Sequence, residues 1–142
     1  MADAVFLDTV GLIALLNKDD EYRDQACAVF ARIGEARRSV VTTNLVLCEV
    51  GNGLARTACR EEVGWLIGQL HADPISTVVH VDRNLFTEGV ELYLARGDKM
   101  WGLVDCVSFV VMRAKGLTDA FTADHHFQQA GLNCLLSPVR GR

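Results

Sequence analysis

The chain has 142 residues, half of them hydrophobic and 23% charged, with 2 Pro against 12 Gly. That composition excludes a disordered or collagen-like chain and leaves room for one domain, residues 1–142, rather than two. Fourteen Lys and Arg against eighteen Asp and Glu give a net charge of −4, the wrong sign for holding a polyanion by bulk charge, so nucleic acid binding needs local help.

No apolar run approaches the roughly 18 residues of a membrane span, and the first six residues carry no basic or apolar leader, so a cytoplasmic location is expected. The apolar fraction is at the top of the usual range for such a length, which favours self-association. The five cysteines show no C-x-x-C pair and sit in apolar segments, as reduced core cysteines do.

The apolar run Ala4-Val5-Phe6-Leu7 ends in Asp8 and reads as a buried strand feeding a helix over residues 12–18. Tyr22, Ala26, Val29, Phe30 and Ile33 fall on one face of a second helix ending near Gly34. Val40-Val41-Thr42 fits a strand. Thr43 or Asn44 then caps a helix carrying Leu45, Val46, Val50 and Leu54, with another helix over residues 61–71 before Asp73-Pro74. Residues 76–81 are β-branched and read as a strand, followed by a helix with Phe86, Val90, Tyr93 and Leu94 on one side.

After a loop over residues 98–102, residues 103–115 form a mostly apolar, buried helix closed by Gly116. Residues 120–122 are a short strand, residues 125–130 a helical turn closed by Gly131, and residues 132–136 a last strand before a polar tail, Arg140-Gly141-Arg142. Strands alternating with helices imply an α/β fold, a parallel sheet with helices on both faces and ligands beyond the carboxyl ends of its strands.

Four acids interrupt apolar segments: Asp8 after Val5-Phe6-Leu7, Glu49 between Cys48 and Val50, Asp105 between Val104 and Cys106, and Asp124 after Phe121-Thr122-Ala123. Their neighbours pull them toward the interior, where an ionised carboxylate costs several kcal/mol unless it is paired or bound to a cation. Nearby Lys and Arg are too few to pair all four. If the strands before Asp8 and Asp124 are parallel neighbours, both acids stand on one rim, and a helix N-terminus can bring Asp105 to it. A hard ion, Mg²⁺ or Mn²⁺, then resolves the charge and activates water against a phosphodiester.

A plainer reading makes Asp8, Asp105 and Asp124 helix caps and Glu49 the partner of Arg56 or Arg60. Under it the chain is a non-catalytic interaction module. His125 and His126 are adjacent and not expected to share a helix face, which speaks against a dihistidine zinc site.

The segments Phe6-Leu7-Asp8-Thr9, Thr42-Thr43-Asn44-Leu45-Val46-Leu47-Cys48-Glu49-Val50, Trp101-Gly102-Leu103-Val104-Asp105-Cys106-Val107-Ser108-Phe109 and Thr122-Ala123-Asp124-His125-His126-Phe127 resemble, in order, the four acidic motifs of the PIN-domain ribonucleases. Among these the chain is most similar to VapC-type toxins and their stand-alone, RNA-processing relatives. The resemblance implies Mg²⁺ or Mn²⁺ held by Asp8, Glu49, Asp105 and Asp124, cleavage of RNA as an endoribonuclease, homodimerisation and, in the toxin branch, neutralisation by an antitoxin. The motifs depart from the usual pattern at Gly102 and Val104, where Ser or Thr is common, and at His125, where Arg is common. Thr9 and Ser108 retain hydroxyls suited to holding the carboxylates, Ser108 one helical turn from Asp105.

Overall fold

The computed structural model describes residues 3–139, so the leader reading at Met1 and Ala2 and the Arg140-Gly141-Arg142 tail lie outside the described residues. Five parallel strands form one sheet in the order β3-β2-β1-β4-β5: β1 (Val5–Leu7), β2 (Val40–Thr43), β3 (Ser76–Val79), β4 (Asp119–Phe121) and β5 (Asn133–Cys134). Seven helices flank it: α1 (Thr9–Leu16), α2 (Arg23–Glu35), α3 (Asn44–Gly53), α4 (Arg60–Ala72), α5 (Arg83–Ala95), α6 (Leu103–Lys115) and α7 (His125–Gln129). Every residue of β1 and β2 is buried, which is why neither strand alternates apolar with polar residues.

The chain lays down β1, β2 and β3 outward in one direction, then returns to place β4 on the other side of β1. Strand order therefore reverses between β1 and β4, and the carboxyl ends of these two strands flank the crevice where an open α/β sheet binds ligands. Their register, Val5 opposite Asp119 and Leu7 opposite Phe121, sets Asp8 beside the residues that follow β4.

Helix α1 starts at Thr9, three residues before the expected start. The Leu12 N–H bonds the Asp8 carbonyl at 3.1 Å, so the helix begins directly off the strand. Gly11 permits this: a Cβ there would overlap the Phe121 carbonyl oxygen and meet the Phe121 ring at 2.5 Å, so only glycine lets α1 lie this close to β4. At the far end of α6, Gly116 adopts φ 68°, the left-handed cap expected of it.

Thr43 caps α3 by accepting from the Val46 N–H at 3.1 Å, and Asp82 caps α5 through Leu85 at 2.9 Å. The Asp82 cap follows the end of β3 at Val79, two residues before the expected Val81. On α5, Phe86, Tyr93 and Leu94 are exposed, because the helix meets α6 through the side that carries Gly89. One expectation about burial fails, that of the cysteines. Among them only Cys106 is buried, and Cys48 is exposed, because α3 turns Val46, Leu47 and Val50 inward.

Candidate metal and active site

Asp8, Glu49, Asp105 and Asp124 line one open cavity of about 560 Å³ at the carboxyl end of the sheet, together with Thr9, Val10, Ile13, Asn52, Gly53 and His126. They arrive from four places: the end of β1, the middle of α3, the first turn of α6 and the cap of α7. Among the described residues, no Lys or Arg lines the cavity.

Asp8 is buried, 3% exposed. It occupies the N-cap position of α1 without making a side-chain cap bond, so the capping reading does not explain it. Its carboxylate instead accepts from the Thr122 hydroxyl at 2.7 Å. Burial pushes its pKa up to about 7, the Asp105 and Asp124 carboxylates push the same way, and the Thr122 bond only partly opposes them.

Thr122 is fully buried and its hydroxyl works twice, donating to Asp8 and accepting from the Asp124 N–H at 3.0 Å. Thr122 therefore ties the end of β1 to the start of α7.

Asp124 and Asp105 do act as caps. Asp124 accepts from the His126 N–H at 2.9 Å, and Asp105 reaches back to the Gly102 N–H at 3.1 Å. Capping and a place in the cavity are not alternatives here, because a carboxylate that accepts one backbone bond keeps lone pairs for a second task. Burial raises the Asp105 pKa, and the Asp124 carboxylate adds to the rise against the Gly102 and His126 contacts.

Glu49 is exposed rather than drawn inward, since it shares with Cys48 the outward side of α3. The Thr9 hydroxyl donates to it at 2.6 Å, so Thr9 holds a carboxylate as its sequence context suggests. Ser108 does not. It is fully buried, outside the cavity wall, and its hydroxyl bonds to no carboxylate, because residues 106–112 of α6 are all enclosed.

Sequence reasoning weighed His126 as half of a dihistidine pair and set it aside. Its Nδ1 lies 3.2 Å from Asp105 Oδ2 and 3.4 Å from Asp124 Oδ1, and His125 Nδ1 lies 3.8 Å from the same Asp124 oxygen. The two imidazole rings are 4.5 Å apart. The expectation that adjacent histidines diverge fails because they are the first two residues of a five-residue helix, where both lean toward the capping aspartate. The signal for Thr122 and His126 was their place two residues either side of Asp124.

A family model described as "PIN domain" matches residues 5–132. Over 134 residues the chain is 30% identical to a protein named "23S rRNA-specific endonuclease VapC20" in two strains of Mycobacterium tuberculosis, covering 89% of this chain and 94% of the relative. The crystal structure of Mycobacterium tuberculosis VapC20, described as a Sarcin-Ricin loop cleaving toxin, superposes with a TM-score of 0.76 at 28% identity, over 90% of this chain and 95% of that one. FitAcB from Neisseria gonorrhoeae has the same fold, with a TM-score of 0.61 at 17% identity over 92% and 95% of the two chains.

Proposed function

Because the chain belongs to the PIN-domain family, we propose that it is a divalent-metal-dependent endoribonuclease, the toxin of a toxin–antitoxin pair, acting on RNA at the cavity of Asp8, Glu49, Asp105 and Asp124. The observation that carries this reading is the meeting of four carboxylates from four elements in one cavity whose wall, among the described residues, holds no Lys or Arg. The named activity of the relative supports RNA as the substrate, with ribosomal RNA the first to test.

The donor set fits a hard ion. Mg²⁺ and Mn²⁺ prefer carboxylate oxygen, and the pKa values of Asp8 and Asp105 are raised by burial first and by the neighbouring carboxylates second. Asp8, Glu49, Asp105 and Asp124 would hold the ion, Asp8 and Asp124 on the firmest supports. When bound, it supplies positive charge for the phosphoryl oxygens and acidifies water.

The chain's own residues set the geometry. Thr122 orients Asp8, Thr9 orients Glu49, and the Gly102 and His126 N–H groups fix Asp105 and Asp124. His126 Nδ1 lies within reach of both Asp105 and Asp124.

An antitoxin is the proposed partner. It needs basic side chains for the acidic cavity and an apolar helix for the cleft of about 380 Å³ lined by Leu15, Phe30, Trp65, Leu66, Leu70 and Ile75. The exposed Phe86, Tyr93 and Leu94 of α5 suit a homodimer contact. No described helix is long and apolar enough to cross a membrane, and the cytoplasm, where ribosomal RNA is found, is the proposed site of action.

The test is cleavage of ribosomal RNA in Mn²⁺. Cleavage should stop in EDTA and fall at least about tenfold in Asp8→Asn. Equal cleavage in EDTA, or by Asp8→Asn, contradicts the reading.

A further inference from the structure

The acidic cavity has one imidazole in its wall and a second beside it, neither of which a site for a hard ion needs. Mg²⁺ takes oxygen, whereas imidazole suits zinc and its neighbours. His126 lies in the cavity wall. The His125 side chain is 70% exposed and its ring stands against His126. No packing or capping role accounts for His125, yet one ligand atom from each of Asp124, His125 and His126 falls within a mutual 4.8 Å.

The spacing has a specific meaning. Four ligands placed tetrahedrally around an ion at about 2.0–2.1 Å are separated from one another by about 3.3–3.4 Å. His126 Nδ1 stands 3.2 Å from Asp105 Oδ2 and 3.4 Å from Asp124 Oδ1, and His125 Nδ1 stands 3.8 Å from Asp124 Oδ1. The His126–Asp124 separation therefore matches a tetrahedral edge, and the His125–Asp124 separation closes with a small movement of an exposed side chain, while Asp105 stands beside His126 but outside the group of three.

We propose that Asp124, His125 and His126 supply one oxygen and two nitrogens to a site for Zn²⁺ that overlaps the carboxylate quartet, with water as the fourth ligand. Coordination through Nδ1 leaves each ring's proton on Nε2, with Asp124 supplying the anionic charge and Asp105 standing beside His126. The site shares Asp124 with the hard ion, so the two ions compete for it. Zn²⁺ then acts as an inhibitor of the cleavage proposed above. That consequence rests on the nuclease reading, whereas the binding does not.

The experiment is titration of the full-length, metal-free protein with Zn²⁺ by calorimetry, and with Co²⁺ as a visible probe of coordination. One Zn²⁺ should bind, and Co²⁺ should give the strong absorption of a four-coordinate site. Loss of an outer partner of a metal ligand already lowers affinity about 10–100-fold, so His125→Ala should weaken Zn²⁺ binding at least about tenfold while changing Mn²⁺ binding less than about twofold. His126→Ala should weaken Zn²⁺ binding as well. His125 is exposed, so its truncation should leave the melting temperature of the metal-free protein unchanged.

In an RNA cleavage assay with Mn²⁺, Zn²⁺ should inhibit the parent and inhibit His125→Ala only at correspondingly higher concentration. Equal Zn²⁺ affinity, or equal inhibition, in the parent and His125→Ala overturns the proposal, as does a weak, six-coordinate Co²⁺ spectrum in the parent. Zn²⁺ binding that depends on His125 in a protein that cleaves no RNA sinks the nuclease reading and leaves this site standing.

Discussion

Asp119 and Asp8 stand on neighbouring parallel strands, one at the amino end of the sheet and one at the carboxyl end. Asp119, partly buried, meets Arg38 at 2.8 Å and Asn133 at 3.0 Å. Burial works to raise its pKa, but the bonds from Asn133 and Arg38 outweigh it and hold the carboxyl below its ordinary value. Asp8 is more deeply buried, receives a single side-chain bond, from Thr122, and faces two further acids, so its pKa rises to about 7. At the amino end the fold neutralises its own charge, and at the carboxyl end it leaves charge for something else to neutralise. An acid that serves folding brings its partner in the same chain, and one that serves a ligand is left waiting for it.

The largest effect should come from removing the charge that waits. Asp8→Asn in EDTA should raise stability, because the parent must keep an ionised carboxylate buried. The folded pKa lies above the unfolded one, so the folded state binds the extra proton between about pH 4 and 7, and the parent loses stability as pH rises through that window. A shift of about three units corresponds to roughly 4 kcal/mol as an upper figure. The difference in melting temperature between Asp8→Asn and the parent should be greatest above pH 7 and vanish near pH 4. A flat difference across that range contradicts the assignment.

Thr122→Val keeps the shape and removes both hydrogen bonds of the Thr122 hydroxyl. A bond to a charged group is worth about 1.5–3 kcal/mol, so denaturant unfolding should show a loss of that order, and cleavage should fall with it as Asp8 and Asp124 lose their common support. Smallest is Asp119→Asn. Its ion pair is partly exposed, and such pairs contribute about 0.2–1 kcal/mol. Here the sign is opposite to that of Asp8. The folded pKa is lowered, so the contribution is present above the ordinary carboxylate pKa and disappears as pH falls through the lowered one. Cleavage and the response to Mn²⁺ should not change. A loss of either would mean that the two ends of the sheet are coupled.

The same contrast explains what could be read from the sequence. β1 and Leu103–Lys115 were legible because they are apolar almost without interruption, β3 because it is β-branched, and Asp8, Glu49, Asp105 and Asp124 because each breaks an apolar segment. What was not legible depends on register and close approach. Thr122 matters only because β1 and β4 pair as they do, setting it beside Asp8, and no local pattern states which strands are neighbours. Gly11 reads as a weak point in a helix, whereas in the fold it lets α1 start at Thr9 against β4. Glu49 was expected inside because its neighbours are apolar, but helical phase places it with Cys48 on the exposed side.

The central claim, that the carboxyl end of the sheet is a site for a divalent ion, is tested most directly by melting temperature with and without Mn²⁺ in the parent and in Asp8→Asn. An ion that binds only the folded state raises the melting temperature in proportion to the logarithm of its concentration above the dissociation constant. The parent should gain stability with Mn²⁺ and lose it again in EDTA. Asp8→Asn should start higher without metal and gain little. No response in the parent, or an equal response in Asp8→Asn, would contradict the claim.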